Sequence, residues 1–325
     1  MAAQWRPFGK MRCALWGLLL LAAAACETNK TGETTLPDTE AIKDDPEITG
    51  DDATRLVRRT ERNVKHFEEL RLQGQTGPMV AVRRTIGRTV DENFPTFQRI
   101  ALDKKGSVQR NMAIQAIGFA NEYRVQARDL LVGMLDENDT WILANAALSL
   151  SVLRDPETDL SRLITLVGHA DKEVRTNAAT ALMEIYNVQQ TPRQLTPQHY
   201  AAIDRLVGLL HDRATTRGRR AAVFALANMQ HPETLDHLAS ALDDSDELVQ
   251  IGGLYGIERL GDQRALEPVL EFLSTTPSAE AASWAKKALV RIAVQGGFTN
   301  TPSELDKLGT SAKLWRRWFR AARNK

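Results

Sequence analysis

Six histidines, two acidic turns and a glycine-rich pentapeptide are the places in this 325-residue chain where residue type invites chemistry. His169 and His211 fall between apolar helical patterns and His231 stands where one begins. None is spaced from another histidine or a carboxylate as metal ligands are. "DENDT" (136–140) and "DDSDE" (243–247) are acidic enough for calcium, but the glycine at the sixth place and the glutamate at the twelfth are missing. "GGLYG" (252–256) is not a phosphate loop, because Gly253 and Gly256 take the small positions of a helical pattern described below. No local motif of a Ser/His/Asp nucleophile is present. These patterns predict no catalytic residue, no metal and no cofactor, and so a protein that is not an enzyme.

The two cysteines, Cys13 and Cys26, are explained by the amino terminus. Ala14 to Ala25 form a 12-residue run without a charge, too short for the roughly 20 apolar residues of a membrane span. Arg6, Lys10 and Arg12 precede it and small residues follow, the layout of a secretory leader over residues 1–25. Ala23-Ala24-Ala25-Cys26 resembles the lipobox of bacterial lipoproteins, although Ala23 stands where that family commonly has leucine. The resemblance implies that Cys26 is lipidated and becomes the mature N-terminus, with plain cleavage as the alternative. Glu27, in place of aspartate after the cysteine, implies an outer-membrane lipoprotein facing the periplasm. With Cys13 removed in the leader, no internal disulfide can form.

Residues 27–52 hold nine acids against Lys30 and Lys43, a charge of −7 in a chain whose net charge is +1. Rich in Thr, Asp and Glu, interrupted by Pro37 and Pro46 and without an apolar period, residues 26–52 read as a disordered tether.

The rest of the chain is periodic. With Val174 as position zero, small residues recur at +4 (Ala113, Ala146, Ala178, Ala222, Gly253, Ala285) and +7 (Ala116, Ser149, Ala181, Ala225, Gly256, Ala288). Large aliphatics follow at +8, from Ile117 to Leu289, at intervals of 33, 32, 44, 31 and 32 residues. On a helix these positions share one face, and small side chains there let a neighbouring helix approach closely. Asp139, Asp171, Thr215, Asp246 and Ser278 stand three residues before position zero as N-caps, the sixth place being Gly106. Apolar patterns such as Leu160, Leu163, Ile164, Val167 precede the caps, so each repeat is predicted to pair two antiparallel helices. "DPET" (155–158) and "HPET" (231–234) are predicted to start two of the first helices.

"DKEVRTNAATALMEI" (171–185), with the columns around it, resembles HEAT repeats, particularly the short bacterial kind grouped with phycobilin-lyase-like HEAT proteins. The resemblance implies an all-α fold, an α-solenoid of HEAT-like repeats over residues 95–295. The longest interval holds an insertion, 188–199, predicted to be a loop between repeats. The resemblance further implies that second helices line the inner face of a protein-binding surface. Positions +3, +6 and +10 point away from the packing face and give Met112, Phe119, Asn145, Leu148, Asn177, Thr180, Phe224, Tyr255 and Trp284. They are expected either to form a partner-binding ridge or to pack against adjacent repeats. If they form the ridge, replacing Phe224 and Tyr255 by Ala should abolish capture without a loss of stability.

Residues 53–94 look helical without the small columns, as an N-terminal cap would. Residues 296–325 form the other end, where "TPSE" (301–304) is predicted to cap a helix bearing Trp315, Trp318 and Phe319 on one face and Lys313, Arg316, Arg317, Arg320 and Arg323 on the remainder. This helix reads as a closing cap or as an amphipathic contact with an anionic membrane. Nucleic acid is excluded as a partner by export. The expected function is that of a non-enzymatic scaffold or adaptor of the cell envelope, tethered to the bilayer by an acyl chain and binding an envelope protein or peptide. The family resemblance keeps a chromophore-lyase-like or other catalytic role as the alternative.

Overall fold

Helices are specified here by capped starts and apolar stripes. In a computed structural model, the described residues are 52–323 except 106, 276 and 300, and they are organised into helices. The leader, Cys13, Cys26, the tether up to residue 51 and Gly106 lie outside them. No helix among the described residues is long and apolar enough to cross a membrane. The chain divides into two units at 122/123.

The first unit contains α1 (Asp52–Leu72), α2 (Thr76–Glu92), α3 (Phe94–Leu102) and α4 (Ser107–Ile117). α1 packs on α2 and on α4, and α3 packs on α4. Phe67 meets Phe119 edge to face at 5.0 Å, and Ile86, Phe97 and Ile114 are fully buried around them. Arg110, at position +1 of its frame, donates through Nε to the Ala101 carbonyl oxygen at 2.8 Å and so ties α4 to the end of α3.

The second unit begins with α5 (Arg124–Met134) and continues as first and second helices in alternation. The second helices are α6 (Thr140–Leu153), α8 (Lys172–Tyr186), α10 (Thr216–Met229), α12 (Glu247–Leu260) and α14 (Ala279–Gln295), each packed on the next. Asp139, Asp171, Thr215, Asp246 and Ser278 accept backbone N–H bonds at the starts of these five helices, offsetting donors that the helix leaves unpaired. The small columns are wholly enclosed: Ala146, Ala178, Ala181, Ala222, Ala225, Ala285 and Ala288 are 0 % exposed. A Cβ on Gly253 would stand 2.5 Å from the Leu238 carbonyl oxygen, so that position admits no larger side chain without moving backbone. Close packing of this kind makes the stack an α-solenoid.

The first helices are less regular: α7 (Ser161–Leu166), α9 (Pro197–Leu210), α11 (Leu235–Ser240) and α13 (Leu266–Ser274). "DPET" does not start a helix. Asp155 instead accepts from the Glu157 N–H at 2.9 Å and Thr158 Oγ1 donates to the Asp155 carbonyl at 2.7 Å, making a turn that delays α7 to Ser161. "HPET" forms a 3-10 turn at 232–234 that runs into α11. The insertion is a loop only as far as Thr196, since Pro197 to His199 already form the first turn of α9. Its path is held by neighbours: Gln189 Nε2 donates to the Pro156 carbonyl at 3.1 Å, Leu195 is buried, and His231 Nε2 donates to the Arg193 carbonyl at 3.0 Å.

Three second helices end in the left-handed region at equivalent places, Arg154, Gln230 and Gly261, with φ of 53°, 49° and 59°. Only glycine adopts that conformation without strain.

At the carboxyl end, "TPSE" opens a 3-10 segment, 302–308, rather than the terminal helix, and Thr301 makes no side-chain cap there. α15 (Ala312–Arg323) starts after Ser311 and packs on α13. Trp315 is 0 % exposed, Phe319 is 2 % exposed, and the Trp315 indole N–H donates to the Gly309 carbonyl at 3.0 Å. The buried aromatics close the end of the second unit.

Candidate functional site

Two features of the second unit gather polar and aromatic side chains from successive repeats. The first lies at the turns between first and second helices. Arg175, at position +1, donates to the carbonyls of His169 (2.9 Å) and Ala170 (2.7 Å) in its own turn and to Asp212 Oδ2 (2.9 Å) in the next. Arg219, one repeat later, reaches the Asp212 carbonyl (3.4 Å) and both carboxylate oxygens of Asp244 (2.8 and 3.1 Å). Gln250 takes the same place in α12 and donates to the Asp244 carbonyl at 2.7 Å. Arg220 pairs with the cap residue Asp246 through two bonds of 2.8 and 2.6 Å. The Arg220 guanidinium holds the Asp246 carboxyl below its ordinary range, and the Ala214 backbone N–H, followed by Arg175, does the same for Asp212. A polar cleft of about 700 Å³ opens beside these pairs, lined by His211, Arg213, Arg219, Asp243, Asp244 and Ser245. Its Arg219 and Asp244 are committed to each other, so the cleft holds a satisfied ion pair and not a poised acid and base.

The second feature is the strip expected to face away from the packing columns. Asn145, Asn177, Thr180, Phe224 and Tyr255 lie along α6, α8, α10 and α12, but they are only 6–8 % exposed, while Leu148 and Trp284 are half-buried. Of the two arrangements expected of them, an open ridge or packing against adjacent repeats, their burial is that of packing. Adjacent second helices approach so closely over their small columns that side chains on this side are covered by those of the next repeat. Phe224 meets Tyr255 at 5.8 Å and Tyr255 meets Trp284 edge to face at 5.9 Å. Asn177 Nδ2 donates to the Ala144 carbonyl at 3.0 Å, and Asn228 Nδ2 to the Met183 carbonyl at 2.9 Å. The Tyr255 hydroxyl donates to Asn228 Oδ1 at 3.4 Å and accepts from Arg259, whose guanidinium also stands over the Tyr255 ring at 5.2 Å. Lys287 sits 3.7 Å from the Trp284 ring centre, and burial lowers its pKa against the opposing pull of Glu258 and Glu280.

Met112 and Phe119 belong to the first unit. Met112 is half-buried and Phe119 is a core residue at 2 % exposure, packed on Phe67 past the end of α4. Trp315 and Phe319 are likewise buried, Trp318 and Arg316 are partly covered, and Arg317 and Arg320 are exposed.

Two features escaped the sequence reading. Trp141, 73 % exposed in the first turn of α6, is the most exposed large hydrophobic side chain among the described residues. It stands one place before position zero, outside the columns that carried the periodicity. Arg175 and Arg219 share the +1 place of their repeats, but their acidic partners lie 37 and 25 residues further on. The histidines serve locally: Nδ1 of His169 accepts from the Asp171 N–H at 3.0 Å and Nδ1 of His231 from the Glu233 N–H at 3.2 Å. Burial lowers the pKa of His199, and His231 lowers it further, a proximity no spacing announced. Among the described residues, no group of three or more His, Cys, Asp or Glu side chains is placed to hold a metal ion.

The stacked helix pairs of the second unit define a helical-repeat α-solenoid. Residues 203–290 match the family model of HEAT repeats. No curated protein matches the chain in sequence. Among solved structures, computationally designed armadillo repeat proteins for modular peptide recognition are similar at 22 % identity over 61 % of this chain and 98 % of theirs, with a TM-score of 0.48. A designed armadillo repeat protein in complex with the peptide (KR)4 is 21 % identical over 72 % of this chain and 98 % of its own, at 0.45. The complex of CpcE and CpcF of phycocyanin lyase from Nostoc sp. is 17 % identical over 86 % and 98 %, at 0.41. These are likenesses of fold, and what those proteins bind or catalyse is theirs.

Proposed function

We propose that this chain is a non-enzymatic scaffold or adaptor of the cell envelope, anchored by an acyl chain on Cys26, that binds a protein or peptide along the second helices of its second unit. The observation that carries this reading is Trp141. A tryptophan left 73 % exposed beside a half-buried Leu148 and a row of amides and rings is an anchor of the type that dominates protein interfaces. The rows of Asn145 and Asn177, then Phe224, Tyr255 and Trp284, supply polar and aromatic surface at its side, each retaining a small exposed edge that a partner seated across the repeats would cover.

The burial of Phe224 and Tyr255 changes the test. Their replacement by Ala would remove packed rings and lower stability, so it cannot isolate binding. A photo-crosslinking amino acid at position 141 should join the partner, whereas the same probe at exposed Tyr200 on α9 should not. Trp141→Ala should weaken capture of that partner about tenfold or more, with Tm within about 1 °C of the wild type. Equal crosslinking from both positions, or unchanged capture by Trp141→Ala, would overturn the reading. The anchor is tested separately: wild type should fractionate with membranes carrying a diacylglycerol-modified Cys26, and Cys26→Ser should lose the modification.

A further inference from the structure

The outward side of α15 is a cationic crest. Lys313, Arg317, Arg320 and Arg323 are exposed there, and Arg316, partly covered, donates to Ser274 Oγ at 3.3 Å. Among the described residues none of these five cations has a carboxylate within ion-pair distance, whereas Arg175, Arg219 and Arg220 of the same unit are each paired with an aspartate. Leu314, 43 % exposed, and the half-buried Trp318 lie one turn apart on the flank of the crest.

We propose that this crest docks on an anionic lipid bilayer. Unpaired cations beside an exposed aliphatic side chain fit headgroup phosphates above a shallow apolar layer. The charge distribution favours a surface of opposite sign, and the one-sided apolar flank favours a lipid interface over a purely ionic one. Trp315 and Phe319 stay in the core, so the helix docks as it stands, without leaving the solenoid. Docking does not rest on the acyl anchor.

The experiment uses a chain beginning at Glu27, which keeps every described residue and lacks Cys26, so its failure would leave the anchor and the scaffold reading standing. It should co-sediment with vesicles of 30 % phosphatidylglycerol in phosphatidylcholine, not with phosphatidylcholine alone, and should be released by 0.5 M salt. Arg317→Glu with Arg320→Glu, both exposed and expected to leave Tm unchanged, should weaken binding about thirtyfold or more, since each basic residue near an anionic surface accounts for about fivefold. Equal binding to neutral vesicles, or an undiminished affinity of the double variant, would overturn the proposal. So would binding that appears only when residues 27–51 are also removed, which would assign the crest to the acidic segment of the chain itself.

Discussion

The turn edge and the strip along the second helices both link one repeat to the next, but by different physics. At the turns, Arg175 and Arg219 each bond a backbone carbonyl at hand and an aspartate one repeat ahead, and the Arg219 and Asp244 side chains are only 8 % and 14 % exposed. Such a pair sets register: a guanidinium that cannot reach its carboxylate leaves a desolvated charge without compensation. Along the strip, rings and amides make contacts of modest energy that tolerate small changes of angle. The charged edge therefore fixes how repeats stack, while the strip retains exposed edges of side chains whose chemistry suits a partner.

Replacing Arg219 should produce the largest effect. Arg219→Met strands Asp244 and should cost about 3 kcal/mol in a urea titration. A loss below about 1 kcal/mol would remove the distinction between edge and strip. On the strip, Tyr255→Phe keeps the ring stack and removes a hydroxyl bonded to Asn228 and Arg259, so its expected cost is about 1 kcal/mol.

Acid should act on the edge more than on the strip. Asp246 and Asp212 have folded-state pKa values below the ordinary carboxylate value, so the unfolded chain binds protons first as pH falls. Their contribution is present above about pH 4, the unfolded carboxylate value, and is lost as pH drops through the lower folded values. Urea midpoints measured from pH 6 to pH 3 should fall in that window, and Arg220→Gln should flatten the part due to Asp246. A pH-independent midpoint would show that the edge pairs do not couple to folding.

The smallest effect is expected for Arg217→Met. Its pair with Glu173 spans 3.5 Å with both side chains more than half exposed, so the change should stay within about 0.5 kcal/mol. A cost matching that of Arg219→Met would mean that charge alone, irrespective of burial, sets the stacking.

Repeat length, the enclosed columns and the five cap residues were all legible because each depends on neighbours within one helix: a small residue every three or four places and an oxygen just before the first turn. The start of α7 was not, because the Asp155 turn competes locally with the helix that Pro156 would otherwise open. The terminal helix was legible in its aromatic face, but its start was misplaced, because "TPSE" supports a 3-10 segment as readily as an α-helical cap.

By itself the sequence determined that the chain builds capped helix pairs, which side of each second helix is enclosed, and that an aromatic helix lies at the carboxyl end. Tertiary structure alone decided that Phe119, Phe224 and Tyr255 are covered, that Trp141 is not, and that Arg175 and Arg219 meet aspartates of the following repeat. The physical reason is that periodicity reports the direction in which a side chain leaves its own helix. Burial and ion pairing depend on how closely the next helix stands and on what it carries.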